Sequence, residues 1–406
     1  MTLLDVPPRP TDSTGLPVVL DQEFVPDTHG VLAEWRAKSP AIAMQDGRII
    51  VLRAEDVIRL TTDPRTMQIP GVAYANHHRI PEGRARKFLE DMLLFSNGEA
   101  HVLRRGPFAR AFAFSAIKAR RPAIRAVARQ VMAEMPRGEE FNFVDRVAAR
   151  VPSEMIAGLL GLPVSDAPYF SSLVYKLART LSTNYPMEMH DEIETAANEL
   201  YAYLGGQLAE RQTAPRDDML TGLLETVDEL GEEDTLTQLM AVVLAGTDTT
   251  RAAFAIMVML LLQDGQAWTD VRDDRGLIPG ALSEALRCEP SVGALPRLTA
   301  AALELGDFTV PPGRILVLSS VSAMRDPALY AEPNRFDIRR TDHPKLHLVF
   351  GGGVHRCLGE MLARIEMEEA LDALLDAAPD LQLVEAPQIL GLGGIRGVTP
   401  MTVLAP

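Results

Sequence analysis

Phe350-Gly351-Gly352-Gly353-Val354-His355-Arg356-Cys357-Leu358-Gly359 sets one cysteine behind a run of glycines and just ahead of a helical pattern. From Leu358 to about Ala377 good helix formers run almost unbroken, with apolar residues at Leu362, Ile365, Leu371, Leu374 and Leu375. Cys357 is therefore expected near a helix N-terminus, where backbone N–H groups and the helix dipole favour a thiolate over a thiol. Glycines ahead of it let the backbone turn sharply and approach a flat ligand with no Cβ in the way. A lone thiolate presented this way points to axial ligation of a haem iron. Two other readings stay open on this stretch alone. One is a glycine-rich turn with a buried cysteine. The other is a zinc site drawn from His343, His347, His355 and Cys357, which fall within fifteen residues but lack the closely paired ligands such sites use.

The chain around this stretch is long and acidic. Its 406 residues, 47% hydrophobic, suffice for a large core, and length alone suggests two or three domains. A net charge of −15 argues against an extended nucleic-acid footprint. Cys288 and Cys357 are the only cysteines, which excludes a disulfide framework and fits a reducing cytosol. Met1 to Leu20 is polar and proline-rich, without the charged-then-apolar pattern of an export signal. The apolar run Leu236 to Leu262 is interrupted by Thr247-Asp248-Thr249-Thr250-Arg251, and the pieces on either side are too short for a bilayer. It reads as the buried central helix of a soluble, cytoplasmic protein with no membrane segment.

Along the chain, residues 1–25 read as an arm and 26–406 as the main body. Residues 47–52 form a strand, Ala54 to Leu60 a helix, and 61–84 an irregular loop rich in proline and glycine. Helical patterns then cover about 84–95, 100–111, 121–135, 142–160, 166–183, 188–212, 217–226, 233–263 and 278–288. Leu303 to Val310 and Ile315 to Ser319 flank Pro311-Pro312-Gly313 and predict a hairpin. The fold class that results is mainly α with a minor β portion.

Two further motifs carry chemistry. Ala245-Gly246-Thr247-Asp248-Thr249-Thr250 is a polar island inside the apolar helix, costly unless partnered or wetted. Its threonines can bond carbonyls four residues back, and Gly246 eases a local kink that leaves room for a small ligand beside a proton donor. Arg251, three residues after Asp248, lies on the same face and can pair with it. Glu284 and Arg287 are likewise three apart on one helix face.

Taken together these stretches resemble the cytochrome P-450 (haem-thiolate monooxygenase) family, soluble bacterial type. Phe350, Gly353, Cys357 and Gly359 fill its cysteine-loop pattern F-x-x-G-x-x-x-C-x-G, and residues 245–250 fill Ala/Gly-Gly-x-Asp/Glu-Thr-Thr/Ser. The order of elements matches from about residue 30 to the end. The resemblance implies a single triangular domain despite the length, with haem b (iron protoporphyrin IX) between the central helix and the cysteine loop. It implies Cys357 as the iron ligand, with Phe350, Gly351 and Gly359 shaping the loop. Asp248 would gate proton delivery and Thr249 would stabilise the oxygen-derived ligand. Haem carboxylates would fall to His101, Arg105, Arg297 and His355. The segment Ser96 to Ala100 and Leu103 depart from the common version of the helix bearing the first two. Glu284 and Arg287 become a buried structural pair completed by Arg335, with Arg340 as second choice.

The same resemblance implies a monooxygenase using dioxygen to hydroxylate C–H bonds of an apolar small molecule. A peroxide-driven oxygenase and a haem gas sensor or carrier are its rivals. No flavin, dinucleotide or iron–sulfur motif is visible, and Gly391 to Gly397 does not match G-x-G-x-x-G. Electrons would come from a separate ferredoxin and its NAD(P)H-dependent reductase, docking a monomer where Arg104, Arg105, Arg110 and Arg356 offer positive charge. Residues 70–95, 166–190, 241–249, 291–296 and 391–396 would surround the substrate. Val242, Ala245, Val292, Ala294, Leu295, Leu392 and Ile395 would supply a small, aliphatic lining. His77, His78 and Arg79 could anchor a polar group, and Cys288 is expected to be a core thiol.

Overall fold

The central helix spans Glu232–Gln263, and the other long helices wrap around it. Three acids in its first turn, Glu232, Glu233 and Asp234, complement the positive end of the helix dipole. Most of its side chains from Thr235 to Leu261 are buried, so its apolar surface meets protein rather than lipid. Against it pack Arg150–Leu160, Ala167–Leu177, His190–Thr213 and Ile278–Cys288. The helix that follows the cysteine, Glu360–Ala377, touches the central helix and packs most extensively on Arg121–Ala133. The computed structural model describes residues 10–181, 185–344 and 347–406. The first nine residues of the expected arm, residues 182–184 at the expected end of one helix and within the expected pocket segment 166–190, and 345–346 lie outside them.

The β portion is small. Its main sheet runs in the order Val18–Val19, Ala41–Met44, Ile49–Val51, Ile315–Ser319, Ala294–Thr299, Thr66–Met67. Val18–Val19 pairs with Ala41–Met44 in parallel, so the described part of the expected arm is woven into this sheet. Three local expectations are corrected. Residues 61–84 are not all irregular: Thr66–Met67 is an edge strand and Gly71–His77 a helix. Leu303–Leu305 hairpins with Phe308–Val310 about Gly306, whose φ of +58° suits a tight turn. Ile315–Ser319 is therefore free to join the main sheet between Ile49–Val51 and Ala294–Thr299. The helical expectations hold, with the 142–160 segment opening as a π-helical turn, Val144–Ala148, before Arg150–Leu160.

Candidate functional site

The cysteine loop is fixed by its own backbone. Cys357 N–H donates to the Phe350 carbonyl at 2.8 Å, and Gly351 N–H to the Leu348 carbonyl at 2.8 Å. Gly351 and Gly353 sit at φ +72° and +63°, which glycine alone adopts without strain. A Cβ on Gly352 would stand 2.4 Å from Thr61 Oγ1, so the loop also needs glycine where it crosses that side chain. Arg356 reaches back to the Gly351 carbonyl (2.8 Å) and forward to Glu360 (2.5 Å), locking the loop onto the helix that begins at Glu360. Cys357 is solvent-accessible yet crowded by protein atoms, as a side chain on the wall of a deep cleft is. Burial pushes its thiol pKa up, against the opposing pull of the Gly359 N–H, Arg105 and Arg356. A metal cation at Sγ would hold it as the thiolate.

Around the loop lies a cradle of basic side chains. His101 and His355 rings meet with centroids 4.1 Å apart, and Arg105 Nη2 donates to the Arg356 carbonyl at 2.6 Å. Arg297 is 4% exposed, and its guanidinium bonds the carbonyl of its own neighbour Pro296. Among the described residues no carboxylate pairs with it, and burial pushes its pKa down to about 10. His355 is driven down to about 3 by burial and by His101, Arg297 and Arg105. His101 Nε2 is buried with no hydrogen-bond partner. A buried cation without a counter-ion and an orphaned ring nitrogen are costly in isolation. Four basic groups converging beside an accessible cysteine, with no acid among them, fit a flat ligand that brings two carboxylates and a metal. Haem b meets that description. Phe350 packs under Arg364, whose guanidinium lies 5.1 Å from the ring centroid.

The polar island lies on a part of the central helix that is not fully packed. Ala245 is exposed and Val242, Gly246, Asp248 and Thr249 are half-buried in a helix otherwise mostly buried. Thr247 and Thr249 hydroxyls donate to the Val243 and Ala245 carbonyls at 2.6 and 2.7 Å. The helical hydrogen-bonding pattern runs on through the island, and the small side chains there leave room beside it. Gly246 serves contact: a Cβ there would stand 3.2 Å from Ile156 Cδ1. Asp248 Oδ1 accepts from Arg251 Nη2 at 2.5 Å and Nε at 3.0 Å, as the spacing suggested. Arg251 stacks on Tyr175 at 5.0 Å, and the Tyr175 hydroxyl is buried without a partner. Burial raises that phenol to about 12. Nothing in the sequence alone marks Tyr175, because it comes from a distant helix.

The Glu284–Arg287 pair is buried completely, with bonds of 2.7 and 2.8 Å. Its third member is Arg340, which donates to both Glu284 oxygens at 3.1–3.2 Å; the first choice, Arg335, is corrected. The Arg335 side chain is exposed and pairs with Glu332 and Asp337, while its carbonyl accepts from Arg287 and Arg340. His343 Nε2 stands 3.6 Å from Glu284, and His347 Nε2 bonds the Ser283 carbonyl at 3.0 Å. These histidines brace the approach to the cysteine loop, and among the described residues no group of metal ligands forms the zinc alternative. Cys288 is a buried core thiol, its pKa raised to about 12 by burial.

Of the expected pocket residues, Val242, Val292, Leu295, Leu392 and Ile395 are half-buried, and Val292 bridges Ile395. Ala294 is corrected: at 2% exposed it packs in the cluster with Val19, Ile42 and Val317, because neighbours along a strand face opposite sides. The expected docking charges are corrected too. Arg104 pairs with Asp91 and Asp234, Arg110 with Glu229 and Arg356 with Glu360, while Arg105 points inward. Further positive charge sits at exposed Lys118, whose ammonium lies 5.9 Å from the exposed Phe114 ring, and at exposed Arg120 and Arg129. His78 accepts weakly from the Tyr185 N–H (3.5 Å) and tilts against Tyr74, which makes it a loop contact.

Comparison with known proteins bears on this geometry. The cytochrome P-450 family profile matches residues 167–377. A plant-inducible cytochrome P-450 of Rhizobium radiobacter is 40% identical over 95% of this chain and 93% of its own. Cyclomarin C epoxidase of Salinispora arenicola is 32% identical over 82% of this chain and 84% of its own. The crystal structure of CalO2 superposes with a TM-score of 0.88 at 24% identity, covering 95% of this chain and 98% of that one.

Proposed function

Since the chain belongs to the cytochrome P-450 family, we propose that it hydroxylates C–H bonds of a compact apolar small molecule, with electrons from separate proteins. Family membership makes it an oxygen-incorporating oxidoreductase with haem b and dioxygen. The observation that carries the assignment to this site is the convergence of His101, Arg105, Arg297 and His355 near accessible Cys357, with no carboxylate bonded to any of the four among the described residues. When bound there, the haem supplies dioxygen activation and the oxidising chemistry.

The chain's own residues position, exclude water and move protons. Cys357 would hold the iron, and His101, Arg105, Arg297 and His355 the carboxylates. The Thr249 hydroxyl commits its proton to the Ala245 carbonyl, so it meets an incoming group as an acceptor. Asp248 receives both Arg251 bonds on Oδ1, which leaves Oδ2 to exchange protons with water. Half-buried Val242, Val292, Leu295, Leu392 and Ile395 favour an apolar substrate and keep bulk water out. The absence of acids between residues 100 and 133, together with exposed Lys118, Arg120 and Arg129, suits docking of an acidic ferredoxin served by an NAD(P)H-dependent reductase. The two unpaired cysteines support a cytoplasmic setting.

Thr249→Ala tests the reaction class. Product per electron pair is expected to fall on the order of tenfold to a hundredfold, with the missing electrons recovered as peroxide. A peroxide-driven oxygenase would keep its peroxide-supported rate, and a gas sensor would show no such diversion. Arg251→Met tests the gate: with Asp248 released, the solvent isotope effect on turnover is expected to change by about twofold or more. An unchanged isotope effect would remove Arg251 from proton delivery.

A further inference from the structure

We propose that Arg396 is a positioning residue that sets substrate specificity, by clamping the 391–396 turn against the segment 291–295. The proposal rests on the monooxygenase reading above, since that turn carries two of the pocket residues, Leu392 and Ile395.

Arg396 is 4% exposed, and a charge so buried needs a counter-ion. Glu289, just past the end of the Ile278–Cys288 helix, provides it: Oε2 lies 2.6 Å from Arg396 Nη1. The other oxygen, Oε1, is taken by His29 Nε2 at 2.5 Å and Arg325 Nη2 at 3.2 Å. Burial works to raise the Glu289 pKa, yet the bonds and charges of His29 and Arg396 hold it down to about 2. The carboxylate is therefore an ionised hub joining the Thr28–Lys38 helix, the segment after Met324 and the turn.

The rest of the guanidinium works on the turn itself. Its Nε donates to the Gly391 carbonyl at 3.1 Å, closing the loop on its own first residue. Arg396 N–H donates to the Ser291 carbonyl at 2.8 Å, and Gly293 N–H to the Gly394 carbonyl at 2.9 Å. Gly293 is the seat of the turn: a Cβ there would stand 2.7 Å from the Leu392 carbonyl oxygen. On the far side, a Cβ on Gly394 would stand 3.3 Å from the Leu181 carbonyl, so the turn also abuts the end of the helical turn Ala178–Leu181.

Packing does not fix the turn from every direction. A cavity of about 310 Å³, lined in part by His29, Met259, Glu289, Ile389 and Arg396, opens beside the hairpin Ile389–Leu390/Gly397–Val398 that carries it. With space on that side, the ion pair and the Gly391 bond act with the backbone bonds to Ser291 and Gly293 to set how far Leu392 and Ile395 project. Small displacements of such walls change which ligand fits.

Spectral titration of the haem-loaded protein separates this from a merely structural role. Imidazole reaches the iron without touching the turn, whereas clotrimazole carries bulk that must pass the pocket walls. In Arg396→Met, Glu289 keeps His29 and Arg325, so the fold survives. The clotrimazole dissociation constant is then expected to rise about fivefold or more, with that of imidazole within about twofold. Arg396→Lys should fall between, because one ammonium reaches Glu289 or the Gly391 carbonyl but not both. Gly293→Ala presses on the Leu392 carbonyl and on Arg396 Cδ (3.3 Å) and should give the same selective loss; it decides the matter if Arg396→Met does not fold. Unchanged clotrimazole binding, or equal shifts for both azoles, overturns the clamp. A wild-type protein that gives no spectral shift with either azole overturns the haem reading beneath it, a different and recognisable failure.

Discussion

Cys357→Ser is expected to abolish turnover while leaving the fold in place. The substitution removes one polarisable atom from a wall that is already accessible, so its cost in stability should stay within about 1 kcal/mol. The loop keeps its shape because most of its bonds are made by backbone and by Arg356, and a serine oxygen can still accept from the Gly359 N–H that the sulfur receives. The basic cradle is also untouched, so the haem carboxylates keep their partners. What changes is the ligand: a serine hydroxyl gives up its proton far less readily than a thiol and donates much less charge. Monooxygenase turnover should fall on the order of a thousandfold or more, about 4 kcal/mol in barrier height. The reduced carbon monoxide complex of the wild type should show the strongly red-shifted Soret band of thiolate ligation, and the variant should lose it. Cys288 offers no rescue, since it is buried against Glu284 and Arg287 on the structural side of the loop. A histidine-like spectrum in the intact wild type would sink the assignment of Cys357.

The sequence was most informative where function forces a local pattern. Glycines at Gly351 and Gly353 announce a left-handed backbone, and an acid and threonines inside an apolar helix announce a site, whatever surrounds them. Helix extents were legible for the same reason, because the 3.6-residue period depends on near neighbours. Legibility failed where the partner is remote. Arg335 and Arg340 look equivalent in sequence; only the path of the chain through residues 330–342 decides which one turns inward to Glu284. The docking arginines failed similarly, since their acidic partners Asp91, Asp234 and Glu229 lie on other elements. Ile315–Ser319 was read with its sequence neighbour, whereas its true partners start at Ile49 and Ala294.

The largest effect on stability is expected from Glu284→Ala. Glu284 accepts from Arg287, from Arg340 and from the Asp337 N–H at 2.8 Å, at zero exposure. Its removal strands the buried Arg287 guanidinium and leaves Arg340 with Asp342 as its one carboxylate partner; both guanidinium groups lie near Tyr330, at 5.2 and 6.0 Å. Breaking one side of such a buried pair costs about 3–5 kcal/mol, a large share of the roughly 5–15 kcal/mol that holds a protein folded. The thermal midpoint should fall by about 3–6 °C for a chain of this size. The damage should also reach the cysteine. Arg287 ties down the Met324, Pro333 and Arg335 carbonyls, and Arg340 those of Ala331 and Glu332. His343 and His347 continue that brace to Phe350, whose carbonyl holds the Cys357 N–H. Haem content per chain should therefore drop together with the midpoint. Arg335→Ala is the control: its side chain is exposed and its pairing with Glu332 is at the surface, so the change should stay within about 0.5 kcal/mol with full haem. Equal losses in the two variants would show that the network does not hold the loop. A stable, haem-loaded Glu284→Ala would show that Arg287 and Arg340 are neutralised by other means.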